Sequence, residues 1–144
     1  FIRDAASWVE KYTGHVLVAR VVQQSFDAFD RLRLRAWPIR PDAVAVVSHE
    51  TTTGLVAVAG ARLAIANRSA VVRPALGSCW PSLTAGASVT IAIRAGYEAG
   101  EAIPGTLRRA MLVLISGFDE GGKAVAIAEE TARTICRHDR ARSL

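Results

Sequence analysis

Apolar residues recur at three- and four-residue steps near both ends of the chain and at two-residue steps between them. Ile2, Ala5, Val9 and Tyr12 define one face of a helix predicted over about 1–13, with Arg3, Asp4, Glu10 and Lys11 on the other side. Gly14 follows the last periodic residue, where a left-handed cap is wanted. The region of about 15–97 reads as β. "HVLVARVVQQSF" is rich in β-branched residues and lacks Gly and Pro. "RLRLRAW" alternates, so Arg31, Arg33 and Arg35 point one way and Leu32, Leu34 and Ala36 the other, until Pro38 and Pro41 stop the strand. "DAVAVVSHE", "LVAVAGARLAIAN" and "SAVVR" give further strands, broken at "TTTG", Gly60 and near Asn67. "ASVTIAIRAGY" is the clearest strand, with Val89, Ile91 and Ile93 on one face.

Helical spacing then returns. Pro104 suits a first helical position. Leu107, Ala110, Met111, Leu114, Ile115 and Phe118 form a buried stripe on a helix of about 104–118. Gly121-Gly122 ends it, and a last helix over about 124–137 carries Val125, Ala128, Ala132, Ile135 and Cys136, with Glu129 placed to pair with Arg133. Residues 138–144 read as a basic tail. The expected fold is one α+β domain over 1–144: a leading helix, a small, mostly antiparallel sheet of five or six short strands, and two C-terminal helices. The leading helix and one face of the sheet are the available partners for the 104–118 stripe.

Composition sharpens this picture little. The chain has 144 residues, 51% apolar and 22% charged, enough for a real core without disulfide staples. No apolar run approaches the roughly 18 residues of a membrane span, so no membrane partner is expected. Residue 1 is Phe inside an amphipathic pattern, so further residues are expected to precede it. A net charge of +5 favours acidic partners such as nucleic acid. Cys79 and Cys136 are expected to be reduced thiols.

Candidate chemistry is sparse. The chain has no phosphate-cradling Gly-rich loop and no Gly-x-Ser-x-Gly elbow. His15, His49 and His138 are scattered, and Cys136 and His138 diverge by about 200° on a helix, so no metal site, cofactor or catalytic group is expected. Trp8, Trp37 and Trp80 read as core or turn-packing rings, the last two each preceding a proline.

A binding or assembly protein remains. "AASWVEKYTG" closing a first helix, "WPIRP" followed by "VAVV", "SCWPS", "VTIAIRAGY" and "IPGTLRRAMLVLISGF" occur in that order. This order resembles the head–tail connector (adaptor) proteins of tailed bacteriophages and phage-derived gene transfer agents, in the branch with a β insertion between its helices. The resemblance runs from about Ala5 to Leu144. Its strongest pieces are Tyr12-Thr13-Gly14, Trp80-Pro81, Ala95-Gly96-Tyr97, and Pro104 with Leu107 and Ala110. Two features depart from the pattern: a further helical region usually precedes the first motif, and "GFDEGG" stands where members carry an aromatic-acidic-Asn-Arg cluster.

The resemblance implies a non-enzymatic virion protein, made in the bacterial cytoplasm and placed in the neck. Such adaptors form a homo-oligomeric ring, usually twelve-fold, below the portal protein. The ring extends the conduit for DNA, without sequence specificity, and offers the surface on which a stopper or tail-completion protein docks. The family's C-terminal segment commonly reaches the portal, which points here to Arg133, Arg137, Arg140, Arg142 and Leu144. Arg31, Arg33 and Arg35 are the candidates for facing DNA or a neighbouring subunit. Two alternatives stand beside the adaptor: a stopper or tail-completion protein of the same neck, and a free basic nucleic-acid-binding β protein.

Overall fold

The computed structural model describes residues 1–140, so Arg142 and Leu144 lie outside the described residues. The elements run α1 (Ile2–Thr13), β1 (Arg20–Phe26), β2 (Leu32–Leu34), β3 (Val46–Thr51), β4 (Gly54–Val58), β5 (Arg62–Ala66), β6 (Ser69–Arg73), β7 (Val89–Ala95), α2 (Gly105–Glu120), α3 (Lys123–Ile135) and a 3-10 turn, Arg137–Asp139. The class is α+β, as expected. The chain divides into two compact units: a helical one, Phe1–Ala19 with the chain from Gly96 onward, and a β unit, Arg20–Ala95. The β unit is thus an insertion between α1 and α2.

In the helical unit the predicted stripe is the core. Leu107, Ala110 and Leu114 are buried with Ala5, Val9, Leu17, Ala132 and Cys136, while Met111, Ile115 and Phe118 pack against them half-buried. The stripe's cover therefore comes from α1 and α3. It also continues to Gly117, which sequence reading left out. A Cβ on Gly117 would collide with Ala128 Cβ on α3, so α2 and α3 approach closely at a residue with no side chain. Pro104 sits one position earlier than expected. It is the N-cap, in extended conformation, and its carbonyl accepts from the N–H groups of Leu107 and Arg108.

The exit from α1 explains why no strand begins at His15. Gly14 adopts φ 80° and its N–H bonds Glu10 O at 2.9 Å, which closes the helix. Buried Thr13 donates through Oγ1 to Val9 O and accepts from the His15 N–H at 3.1 Å. Glu10 Oε1 accepts the Leu17 N–H at 2.8 Å. Side chains thus hold residues 15–17 as a helix exit, with Leu17 turned into the helical core. His15 Nδ1 meets Tyr97 OH at 2.9 Å, and the Ala19 N–H bonds Tyr97 O at 3.1 Å. Tyr12-Thr13-Gly14 and Gly96-Tyr97 are therefore the two halves of one joint.

The β unit holds seven strands in two antiparallel sheets, ordered β1-β7-β3-β4 and β2-β6-β5, where one sheet of five or six was expected. The turns fall where the sequence placed them: Thr51 Oγ1 donates to Gly54 O at 2.7 Å, Gly60 takes φ 74° and Asn67 φ 52°. Alternation finds such strands but cannot assign them to sheets, because the break at Gly60 delivers β5 to a different sheet from β4. Val89, Ile91, Ile93 and Ala95 line the buried face of β7, and Leu32, Leu34, Ala70 and Val72 that of the smaller sheet. Gln24 joins the two sheets. Its Nε2 donates to Arg33 O at 3.3 Å and its Oε1 accepts the Arg35 N–H at 2.9 Å, so an amide side chain occupies the free edge of β2 as a strand would. No helix among the described residues is long and apolar enough to cross a membrane.

Candidate functional site

Two arginine clusters were expected from the sequence, and the structure treats them differently. At the C-terminal end, Trp8 and Tyr12 lie one turn apart on α1 and stack with centroids 5.2 Å apart. The Arg133 guanidinium lies 5.7 Å from the Trp8 ring centre, and that of Arg140 lies 5.2 Å from the Tyr12 ring centre. Arg133 also meets Glu130 at 3.2 Å and Glu129 at 3.8 Å, so the predicted pair forms and gains a second carboxylate. Thr106 Oγ1 donates to Asp139 Oδ2 at 2.7 Å. Two of the proposed contact arginines are thus engaged within the subunit, and residues 138–140, expected to start a tail, are docked on α1 and α2. Arg137 is exposed on the 3-10 turn.

Cys136 is wholly buried beneath this turn and its Sγ donates to Ala132 O at 2.9 Å. Burial, and secondarily the Asp139 charge, pushes its thiol up to about 11, against a small lowering by its backbone hydrogen bond. Cys79 is exposed. Native protein should therefore react at one thiol per chain with a thiol reagent at pH 8, and at two once denatured. Two fast-reacting thiols in the native state would contradict the packing of the turn.

The other cluster gains members. Leu32 and Leu34 are buried, so Arg31, Arg33 and Arg35 lie on the outer face of the three-stranded sheet. β2 pairs β6 with Leu32 opposite Val72, and β5 pairs β6 with Arg62 opposite Arg73. Arg73 and Arg62 thus form a cross-strand pair, and Arg31 immediately precedes Leu32 at the end of the β2–β6 ladder. Arg62 and Arg73 were not singled out from the sequence. Their signal was the alternation of "RLAIA" and "SAVVR", which puts both arginines on the face opposite the buried Val72 and Ala70, but only the pairing brings them onto the same sheet as Arg33.

Trp8 packs on α1, and the two tryptophans that precede prolines, Trp37 and Trp80, pack against rings or a guanidinium in the β unit. Trp80 stacks on Phe29 at 5.0 Å, Phe29 meets His49 edge-on at 5.5 Å, and Arg68 covers Trp37 at 5.2 Å. Among the described residues no group of three His, Cys, Asp or Glu side chains is placed to hold a metal ion. The outer edge strands of the larger sheet are β1 and β4. β4 carries no charge and leaves Leu55 71% and Val56 43% exposed, and Val21 on β1 is 64% exposed. Bare apolar edges are what a sheet offers to another chain.

No protein-family model matches the chain, and no curated protein matches it. Solved structures do. The chain is similar to a protein in the neck of an empty gene transfer agent (GTA) particle solved with C6 symmetry, at TM-score 0.72 and 22% identity over 99% of this chain and 76% of that one. A chain in the virion of a native GTA particle matches at TM-score 0.71 and 24% identity, with the same coverage. A chain in the neck of a native GTA particle solved with C12 symmetry matches at TM-score 0.69 and 22% identity, over 99% of this chain and 81% of that one. The chain has the fold of these particle proteins, which is the fold the motif order implied.

Proposed function

We propose that the chain is a head–tail adaptor: a non-enzymatic subunit that forms a ring in the neck of a tailed phage or gene transfer agent particle, seats on the portal, continues the DNA conduit and receives the stopper. The supporting observation is the fold shared over 99% of the chain with proteins of GTA necks and virions. Those necks were solved with C6 and C12 symmetry, and a ring needs two different faces on each subunit. Edges β1 and β4 supply such a pair. All neighbouring strands in their sheet are antiparallel, so β4 of one copy beside β1 of the next would keep the alternation.

The portal contact is assigned to Arg137 and to the segment beyond Arg140, which contains Arg142 and Leu144. Arg133 and Arg140 act by fixing where that segment departs. A truncation that tests this must end at Arg140, because a cut at Ile135 would also remove Cys136 from the core. With the portal protein of the same particle, the full chain should form closed rings on the portal in electron micrographs. The chain ending at Arg140 should melt like the full chain and fail to bind. A full chain that stays monomeric with portal present overturns the adaptor reading. Undiminished binding by the shortened chain overturns only the C-terminal contact.

A further inference from the structure

The outer face of the three-stranded sheet carries an arrangement of charge that ring assembly does not require. Its side chains are Arg33 from β2 with Arg31 and Arg35 from the residues flanking it on either side, Ser69, Val71 and Arg73 from β6, and Arg62, Ala64 and Ala66 from β5. Five of these nine are arginines, and none is acidic. No Asp or Glu occurs in 31–35 or in 62–73, the hairpin turn included. Arg31, Arg35, Arg62 and Arg73 are exposed and Arg33 half-exposed. Arg62 Nε donates to Pro74 O at 2.9 Å, which fixes the base of that guanidinium.

We propose that this face is a phosphate-backbone-binding surface for duplex DNA. Arg62 and Arg73 stand directly opposite one another, a like-charge cross-strand pair that costs stability until an anion lies between the two. Between Arg33 and Arg35 an extended chain advances about 6.8 Å, of the order of the separation between successive phosphates on one nucleic acid strand. Guanidinium forks match phosphate oxygens two by two, which lysines would not. The residues between the arginines are small, so the face is a flat floor beneath long cationic stems. It has no Asn or Gln to read a base edge and no aromatic ring on which an unpaired base could stack, so contact is with the backbone and independent of sequence. An acidic protein is the weaker fit, since the face has no large apolar side chain to anchor a protein interface.

The inference rests on register and charge, not on the neck reading, and is tested without portal or particle. A labelled random-sequence duplex of about 30 base pairs is titrated with the full chain by fluorescence anisotropy at several salt concentrations. Five neutralised phosphates give a slope of log K against log salt of about −4.5, or an affinity loss of about 500-fold from 50 to 200 mM salt. R33Q/R73Q should shorten the slope by about 1.8. R108Q/R109Q, which removes the same charge from exposed positions on α2, should leave the slope unchanged. Should the first double variant not fold, R33Q and R73Q singly should each shorten it by about 0.9. A wild-type slope shallower than about −1 overturns the proposal. So does equal loss in the two double variants, or tighter binding of polyglutamate than of DNA at equal charge.

Discussion

Gly96→Ala should be among the most damaging single-methyl changes in the chain. Gly96 has φ +115°, which L side chains rarely adopt, and a Cβ there would sit 2.8 Å from Ala19 Cα, 2.9 Å from Ala19 N and 3.0 Å from Val16 Cγ1. Two of those three atoms are backbone and cannot rotate away. Ala19 is also held in place, because its N–H bonds Tyr97 O. The backbone conformation costs roughly 1–3 kcal/mol, and forcing a methyl into a filled site costs roughly 1–3 kcal/mol more. Together these are a large part of an ordinary domain's stability of about 5–15 kcal/mol. Gly100→Ala is the control. Gly100 also has positive φ, +87°, but nothing lies within 4 Å of its added Cβ, so it reports the conformational cost alone. Urea denaturation of both variants should show Gly96→Ala losing more than Gly100→Ala by about the overpacking term, roughly 1–3 kcal/mol. Equal losses would mean that the approach of Gly96 to Ala19 is not tight.

That joint shows what was legible in the sequence and what was not. The pieces Tyr12-Thr13-Gly14 and Ala95-Gly96-Tyr97 stand out as motifs, yet they are far apart along the chain. Nothing local says that His15 will meet Tyr97 or that Ala19 will lie against Gly96. Elements whose signal is local were legible: the α1 stripe with its Gly14 cap, the alternation of β7, and the Leu107–Phe118 face of α2. Sheet membership was not, because a period of two is the same in either sheet. The arginine face was half legible. Alternation gave Arg31, Arg33 and Arg35, but Arg62 and Arg73 join them only through the β5-β6-β2 register. The C-terminal arginines were legible as charge and not as contacts, since stacking on Trp8 and Tyr12 depends on α3 bringing Arg133 back beside α1. A basic run reads as solvated until the fold supplies aromatic faces for it.

Gly117 was passed over for a related reason, and it carries the other large effect. A glycine inside a helix reads as a weak point costing about 1 kcal/mol against alanine. Yet 107, 110, 114 and 117 continue one stripe by steps of three and four, and all four residues are buried. Gly117 is the position at which α2 admits α3. A Cβ there would overlap Ala128 Cβ and come within 3.1 Å of Ala124 O. Gly117→Val should therefore destabilise the helical unit by about 3 kcal/mol, with overpacking outweighing the gain in helix propensity. A cycle separates this from a general intolerance of the site. Ala128→Gly alone should cost about 1 kcal/mol from propensity. Combined with Gly117→Ala it should restore room between the helices, so that the double variant is more stable than the sum of the singles by about 1 kcal/mol or more. Strict additivity would show that the two residues do not meet. It would also move the closest approach of α2 and α3 away from the stripe that covers Ala5, Val9 and Leu17.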